Sequence, residues 1–311
     1  MTTQTWSRAW REASRDFWGH EEPSTHFTTS AGPLVAERIA DLVREVDDRL
    51  GHPPDLTIID IGCGEGRLLS LVRERCGELA ARARWIGIDV RPLRAQGIEA
   101  VMAEVPADLA DVPVRGVVMA HEWLDEIPCD VVERDGAGVD RLVLVDRDGT
   151  ETLGPAIDDD QACSELGVDA REVRPWLEQW WPLRETGDRA EVGASRDHAW
   201  AWMCGLVGAG TALATDYGHV GATRGSTLTG YRAGRLARPV PDGSINLTAH
   251  VALDACVAAV PGTALTYQRH ELPAVTLGDD PTAADVELHF ASLRLRDPAR
   301  LGGVGWLRRD V

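Results

Sequence analysis

Apolar and polar positions follow the order helix, strand, helix, strand through the first part of the chain. Residues 36–50 place apolar side chains at helical spacing, and residues 56–61 form a short apolar run that is typical of a buried strand. The pattern then predicts a helix and three more strands, at residues 67–75, 83–90, 100–103 and 116–120. Because consecutive parallel strands need helical crossovers, this order predicts an α/β fold with a doubly wound sheet.

The pattern changes after Pro128. The next core strand is predicted only at residues 211–217, which leaves roughly 80 residues where a plain crossover is far shorter. A turn-forming Asp-Gly pair at 135–136 indicates a β-hairpin, and helices are predicted near 171–181 and 195–205. We therefore expect a β-hairpin and helical insert between the fourth and fifth core strands.

The last part of the chain predicts an apolar helix at residues 248–260 and final strands at 265–272 and 305–309. This gives four parts: an N-terminal helical segment, the first half of the core, an inserted substrate or lid subdomain, and the second half of the core. Their expected bounds are residues 1–50, 51–128, 129–205 and 206–311.

Composition narrows the class of partner. The formal charge of −18 and the pI of about 4.9 disfavour nucleic acid and anionic membranes, and they suit a basic protein substrate. The six cysteines form no C-x-x-C pair, so we expect no metal site and a reducing, cytoplasmic location. No apolar run reaches the roughly 20 residues of a membrane helix. The sequence does not indicate an oligomeric state.

The segment DIGCGEG at residues 60–66 carries the strongest chemical signal. Gly62, Gly64 and Gly66 lie between a predicted strand and a predicted helix, where the backbone approaches a ligand without a Cβ in the way. The G-x-G-x-G spacing differs from the G-x-G-x-x-G of dinucleotide folds, and Asp60 suits the ammonium end of S-adenosylmethionine (SAM). SAM is the expected cofactor; the alternative is a tight turn that binds nothing.

Polar residues after the next three strands complete the predicted site. Asp89 is expected to accept hydrogen bonds from ribose hydroxyls, and a helix N-cap is its alternative role. Glu104 is a candidate for lining the adenine. His121, Glu122 and Asp125 follow the fourth strand and are the candidates to hold or deprotonate a methyl acceptor. A solvated acidic helix start is the alternative for that segment.

Four blocks of sequence resemble the MidA-like methyltransferases, a class I SAM-dependent family with a Rossmann-like sheet. The family is related to the mitochondrial complex I assembly factor that methylates an arginine in a protein substrate. The blocks are HFTTSAGPLVAER at 26–38, IIDIGCGEGRLL at 58–69, VVMAHEWLDEIP at 117–128, and DYGH, GSTLTGYRAGR and LTAHV between Asp216 and His250. The third and fourth blocks are specific, because ordinary class I methyltransferases lack them.

The resemblance implies that the three glycines form the SAM loop and that Glu122 and Asp125 lie in the acceptor region. It also singles out residues without an assigned role, namely Asp216, Tyr217, Gly218, His219, Tyr231, Arg232 and His250. This chain has Asp60 where the family has Glu, His121 where it has Asn, and Thr229 where it has Arg. Since His121 is expected beside the reaction centre, the acceptor can differ from that of the family.

We therefore predict a SAM-dependent methyltransferase that acts on a protein side chain, with arginine favoured. A non-catalytic assembly factor or protein-binding module on the same fold is one alternative. An NAD-dependent oxidoreductase is another, and the glycine spacing disfavours it. The predicted insert holds five tryptophans that form either a recognition surface or its own core, namely Trp176, Trp180, Trp181, Trp200 and Trp202.

Overall fold

The computed structural model describes residues 3–20, 30–93, 95–103, 113–221 and 225–311. Glu104, predicted to line the adenine, lies outside these ranges, as do the first four residues of the block at 26–38. The chain forms two compact units. The core unit comprises Thr29–Trp123, Trp200–Gly218 and Val260–Val311, and the hairpin unit comprises Met1–Thr28, Leu124–Ala199 and His219–Ala259.

Strands and helices are numbered in chain order. The strands are β1 Gln4–Thr5, β2 Thr57–Ile61, β3 Arg84–Asp89, β4 Glu99–Met102, β5 Val114–His121, β6 Asp130–Arg134, β7 Asp140–Val145, β8 Glu151–Ala156, β9 Arg189–Val192, β10 Val207–Asp216, β11 Gly218–His219, β12 Thr229–Arg232, β13 Arg235–Ala237, β14 Asn246–Thr248, β15 Val251–Ala252, β16 Ala264–Tyr267 and β17 Gly305–Asp310. The helices are α1 Trp6–His20, α2 Pro33–Arg49, α3 Arg67–Arg75, α4 Leu79–Arg82, α5 Asp160–Glu165, α6 Ala170–Trp180, α7 Ala194–Leu206, α8 Leu253–Ala259, α9 Gln268–Glu271 and α10 Ala283–Arg296. Short 3-10 turns cover Leu124–Glu126 and Leu301–Gly303.

A seven-stranded mixed sheet forms the centre of the core unit, in the order β16-β17-β10-β5-β2-β3-β4. The five strands from β10 to β4 are parallel to one another. Strand β17 is antiparallel to both β10 and β16. The predicted α/β class is confirmed, and the direction reverses only at the edge that the last two strands form.

Helix α2 shows how the core closes on this sheet. Its apolar positions recur at helical spacing and include Ile39, Val43 and Val46, all of them buried. They belong to one cluster with Ile58 of β2 and Val117 of β5. Burying each such side chain stabilises the fold by about 1.5–3 kcal/mol relative to leaving it exposed.

The hairpin unit contains an antiparallel sheet of five strands, in which β6 lies between β7 and β9, while β1 and β8 pair with β7. The β6–β7 turn forms where the Asp-Gly pair predicts it, because Asp135 Oδ1 accepts hydrogen bonds from the N–H groups of Ala137 and Val139. A second sheet has the order β13-β12-β14. In the chain, β6 to β9 and α5 to α7 follow β5 and precede β10.

Most of the tryptophans in this stretch are core residues. Trp176 and Trp181 belong to the main apolar cluster of the hairpin unit, and the Trp176 indole N–H donates to Asp197 Oδ2 at 2.7 Å. In the core unit, Trp200 is fully buried and its indole donates to Thr263 Oγ1. Burial therefore accounts for these three side chains without a role in recognition.

The apolar run at residues 248–260 is not a single helix, so this prediction is wrong. Strand β14 ends at Thr248, β15 follows, and α8 begins only at Leu253. A short apolar run fits a strand or a helix equally well, and neighbouring strands decide between them. Residues 265–272 divide in the same way, because β16 ends at Tyr267 and α9 follows.

Helix α10 lies in a stretch where the sequence predicts no element. It begins with a capping box in which Thr282 and Asp285 bond each other's backbone N–H groups. Its Phe290 and Leu293 are exposed, so its apolar residues form no clear stripe. Among the described helices, none is long and apolar enough to cross a membrane.

Candidate functional site at the carboxyl edge of the core sheet

The predicted site residues of the core unit follow the ends of neighbouring parallel strands. Strand β2 ends at Ile61, β3 at Asp89, β5 at His121 and β10 at Asp216. Because these strands are parallel, their carboxyl ends share one edge of the sheet, which is where open α/β sheets bind their ligands.

The glycine loop is tied to the neighbouring strand by its backbone. The N–H groups of Gly62 and Cys63 both donate to the Ile88 carbonyl, at 2.9 and 3.1 Å. Gly66 takes a left-handed conformation at the N-cap of α3. The loop therefore leads from β2 directly into a helix N-terminus, as the sequence predicts.

Gly64 is the open point of this loop. Its φ is +56°, and among the described residues a Cβ built there would meet only the Arg91 guanidinium, at 3.7 Å. Its N–H donates to Asp89 Oδ2 at 2.8 Å. A side chain would fill the space above the loop, so glycine at this position keeps a cradle open for a ligand.

Asp89 links the loop to the residues that follow β3. Its Oδ1 accepts a hydrogen bond from the Arg91 N–H at 3.1 Å and forms an ion pair with the Arg91 side chain at 3.3 Å. No helix begins after Asp89 in the part of this stretch that the structure describes, so the helix N-cap alternative is wrong. Arg91 was not expected from the sequence.

Asp60 lies inside the sheet, one residue before the end of β2. It is 2 % exposed, and its Oδ1 has no hydrogen-bond partner among the described residues. Burial, with the nearby Asp89 carboxylate as a smaller cause, raises the pKa of Asp60 well above its usual value. A cationic group bound nearby would stabilise the ionised carboxylate and so oppose this rise in pKa.

Ser30, His121 and Glu122 form a compact hydrogen-bonded group at the end of β5. The backbone N–H and the hydroxyl of Ser30 each lie 2.8 Å from Glu122 Oε1. Ser30 Oγ also lies 3.1 Å from His121 Nε2. On its other side the His121 ring meets Thr215 Oγ1, at 2.5 Å from Nδ1. His121 and Thr215 are register partners on adjacent strands, which explains the contact.

Glu122 has a backbone conformation that is unusual for its type. Its φ is +52°, in the left-handed region, which costs a residue with a Cβ about 1–2 kcal/mol. Its N–H donates to the Thr215 carbonyl at 2.8 Å, and its carboxylate is held by Ser30. The surrounding contacts therefore impose a strained conformation on this residue, a pattern that clusters at functional sites.

Asp216 explains how distant blocks of sequence meet. Its Oδ2 accepts a hydrogen bond from the Trp123 N–H at 3.1 Å, and its Oδ1 accepts one from the Tyr217 N–H. The Trp123 ring lies against the loop, because a Cβ on Gly62 would come within 2.6 Å of it. Residues from all four sequence blocks therefore lie at this edge of the sheet, and Ser30 is the one from the first block.

Asp125 belongs to the hairpin unit. It is buried, and its Oδ2 accepts a hydrogen bond from Thr248 Oγ1 at 2.7 Å. The buried Arg196 guanidinium donates to the carbonyls of Asp125 and Ile127 and to those of Ala249 and His250. These contacts fix the 3-10 turn that contains Asp125.

The hairpin unit contains His219, Tyr231 and His250, which the resemblance singles out without a role. The His219 ring lies 5.0 Å from the Trp181 ring and 6.5 Å from the His250 ring, between centroids. Burial lowers the pKa of His250. Burial and the charge of Asp125 raise the pKa of Tyr231. The rings of Trp181, His219 and His250 form an aromatic cluster.

Three site residues of the core unit were missed from the sequence: Ser30, Arg91 and Thr215. Ser30 stands in the F-T-T-S segment and Thr215 immediately precedes D-Y-G-H, so both lie at the margins of recognised blocks. The recognised blocks therefore lead to both residues, but the sequence does not show which side chains they contact.

Comparison with known proteins agrees with this geometry. A family model described as "Putative S-adenosyl-L-methionine-dependent methyltransferase" matches residues 34–269. A Burkholderia thailandensis protein solved with S-adenosyl-homocysteine bound has a TM-score of 0.74 at 17% identity, over 99% of this chain and 88% of that one. A second solved structure, of a COG1565 superfamily protein from that organism, has a TM-score of 0.72 at 20% identity, over 99% of this chain and 87% of that one. No curated protein matches the chain.

Proposed function

Because this chain belongs to that family of SAM-dependent methyltransferases, we propose that it methylates a nitrogen of a protein side chain, with arginine as the favoured acceptor. The observation that carries the proposal is the Glu122 carboxylate, which the described residues hold at the end of β5 through one oxygen only. The four sequence blocks further support a MidA-like type of enzyme.

The residues of the core unit fit the cofactor. The open cradle at Gly64 accommodates a ligand against the backbone, and Asp60 offers an unpartnered carboxyl oxygen to a cationic ligand. We assign Gly62, Gly64, Gly66 and Asp60 to the methionine part and Asp89 to the ribose. Bound SAM supplies an electrophilic methyl group on a sulfonium.

Glu122 would act on the acceptor. A carboxylate accepts a charge-assisted hydrogen bond from a guanidinium or ammonium group, which orients the nitrogen and favours later loss of its proton. Ser30 occupies Oε1, so Glu122 offers Oε2 to a single N–H of the acceptor. The formal charge of −18 also suits a basic protein substrate.

The test compares two carboxylates with methyl-labelled SAM and a cell lysate as the source of acceptors. Glu122→Gln should transfer label about a hundredfold more slowly than wild type, while its affinity for SAM stays within a few fold. Asp125→Asn should lose less, because Asp125 is a buried part of the 3-10 turn in the hairpin unit and not of the Glu122 network. Acid hydrolysis of the labelled protein should yield a methylated arginine.

Other outcomes separate the alternatives. Equal loss of SAM binding and of transfer in Glu122→Gln would make Glu122 a cofactor residue. SAM binding without any transfer would favour the non-catalytic assembly factor. Label found only in small molecules would contradict a protein acceptor.

A further inference from the structure

The hydrogen bonds around Glu122 have a direction that the heavy-atom positions determine. The Ser30 hydroxyl has one proton and two neighbouring acceptors, Glu122 Oε1 at 2.8 Å and His121 Nε2 at 3.1 Å. A carboxylate is the stronger acceptor and here also the nearer one, so the Ser30 hydroxyl donates to Glu122. His121 Nε2 then faces the lone pairs of Ser30 Oγ and must carry a proton.

The other side of the ring follows from this assignment. The side chain of His121 is 7 % exposed, and burial lowers its pKa, which favours the neutral ring with a single proton. With that proton on Nε2, Nδ1 is an acceptor and Thr215 Oγ1 donates to it. The bonds therefore all run one way, from Thr215 through His121 and Ser30 to Glu122.

We propose that Ser30 is a positioning residue. Supported by His121 and Thr215, it holds Glu122 Oε1 and leaves Oε2 to bind the methyl acceptor. Two donors from Ser30 act on Oε1, whereas no described residue donates to Oε2. Both nitrogens of the His121 ring are occupied, so His121 orients the network and does not take the proton of the acceptor. The role toward the acceptor rests on the proposed function; the direction of the network does not.

The first experiment reads that direction without a substrate. Nitrogen-15 NMR of the histidine side chains is recorded on the full chain between about pH 6 and pH 8, and His121→Asn identifies the signal among the nine histidines. We expect a neutral ring with a protonated Nε2 and an unprotonated Nδ1 at pH 8. A proton on Nδ1 of the neutral ring, or an imidazolium that persists at pH 8, would overturn the proposed direction of the network.

The second experiment separates positioning from general structure. Ser30→Ala should slow methyl transfer at saturating SAM about ten- to a hundredfold, because the Glu122 carboxylate loses its orientation. The affinity for SAM should stay within about twofold of wild type. Ser30→Thr, which keeps the hydroxyl, should recover part of the rate. Ser292→Ala is the matched control, since Ser292 is also buried and makes two hydrogen bonds, with Val275 and Pro273.

The two experiments fail in different ways. A Ser30→Ala enzyme as active as Ser292→Ala would overturn the positioning role even if SAM binds normally. A wild-type protein that transfers no methyl group would overturn the proposed function and the acceptor part of this inference. The NMR result would still decide the direction of the network.

Discussion

Asp60 and Asp197 are buried acids with raised pKa values and different surroundings. Asp197, in the hairpin unit, accepts hydrogen bonds from the Trp176 indole at 2.7 Å and the Cys256 thiol at 3.2 Å, and burial raises its pKa to about 6. Asp60 has an oxygen without a donor among the described residues and lies near the Asp89 carboxylate. Donors within the core therefore satisfy the Asp197 carboxyl group, whereas the Asp60 carboxyl group is suited to a cationic ligand.

Asp197 should give the stability of the hairpin unit a distinct pH dependence. Its pKa rises from 3.8 in the unfolded chain to about 6 in the fold, so its contribution is fully present below about pH 4 and is lost as the pH rises toward 6. Asp197→Asn should remove this loss. Urea unfolding midpoints between pH 4 and pH 8 measure it, with the exposed Asp158→Asn as control. Parallel profiles for wild type and Asp197→Asn would contradict the assignment.

At the residue scale, the sequence predicts the groups that a local motif contains. Gly62, Gly64 and Asp89 lie at the strand ends where the motif places them. Ser30 could not be assigned in this way, because its contact with Glu122 joins positions 92 residues apart. Such contacts depend on which strands become neighbours, and a single sequence does not give that.

At the element scale, buried parallel strands were the easiest to predict. Strands β2, β3 and β5 lie within two residues of their expected bounds, because a strand buried on both faces reads as a continuous apolar run. The sequence does not predict elements that form only by pairing with another strand. Strand β1 is an example, because it has two residues and pairs with β7. The division at Thr248 follows in the same way from pairing of β14 with β12.

Arg196 connects elements of the hairpin unit that are distant in sequence. Its guanidinium is 1 % exposed and donates to carbonyls at both residues 125–127 and residues 249–250. Arg196→Met would remove the hydrogen bonds of the guanidinium to these buried carbonyls, of which that of Asp125 keeps the Ala249 N–H as a donor, and we expect a loss of about 2–4 kcal/mol in the free energy of unfolding.

Urea unfolding of Arg196→Met measures this loss. Arg171→Met is the control, because Arg171 is an exposed arginine of the same unit whose ion pair with Asp169 should contribute little. A loss of less than about 1 kcal/mol in the free energy of unfolding of Arg196→Met would show that water replaces the guanidinium. The guanidinium would then not be what holds the turn.

At the scale of the whole molecule, both units are assembled from three separate stretches of chain. The candidate SAM residues that the structure describes lie in the core unit, together with Ser30, His121 and Glu122, whereas Asp125 lies in the hairpin unit. The structure therefore assigns the glycine loop and the Glu122 network to one compact unit. Cofactor binding should accordingly depend on the core unit's loop geometry.

Calorimetric titration of the full chain with SAM, and separately with NAD, tests that account most directly. The variants are Gly64→Val in the loop and Gly77→Val outside it, which impose the same backbone strain because the φ values are +56° and +57°. We predict that SAM binds to wild type and to Gly77→Val, that Gly64→Val weakens it about a hundredfold or more through the filled cradle, and that NAD does not bind. Equal SAM affinity in Gly64→Val and Gly77→Val, or no SAM binding by the folded wild type, would contradict the account.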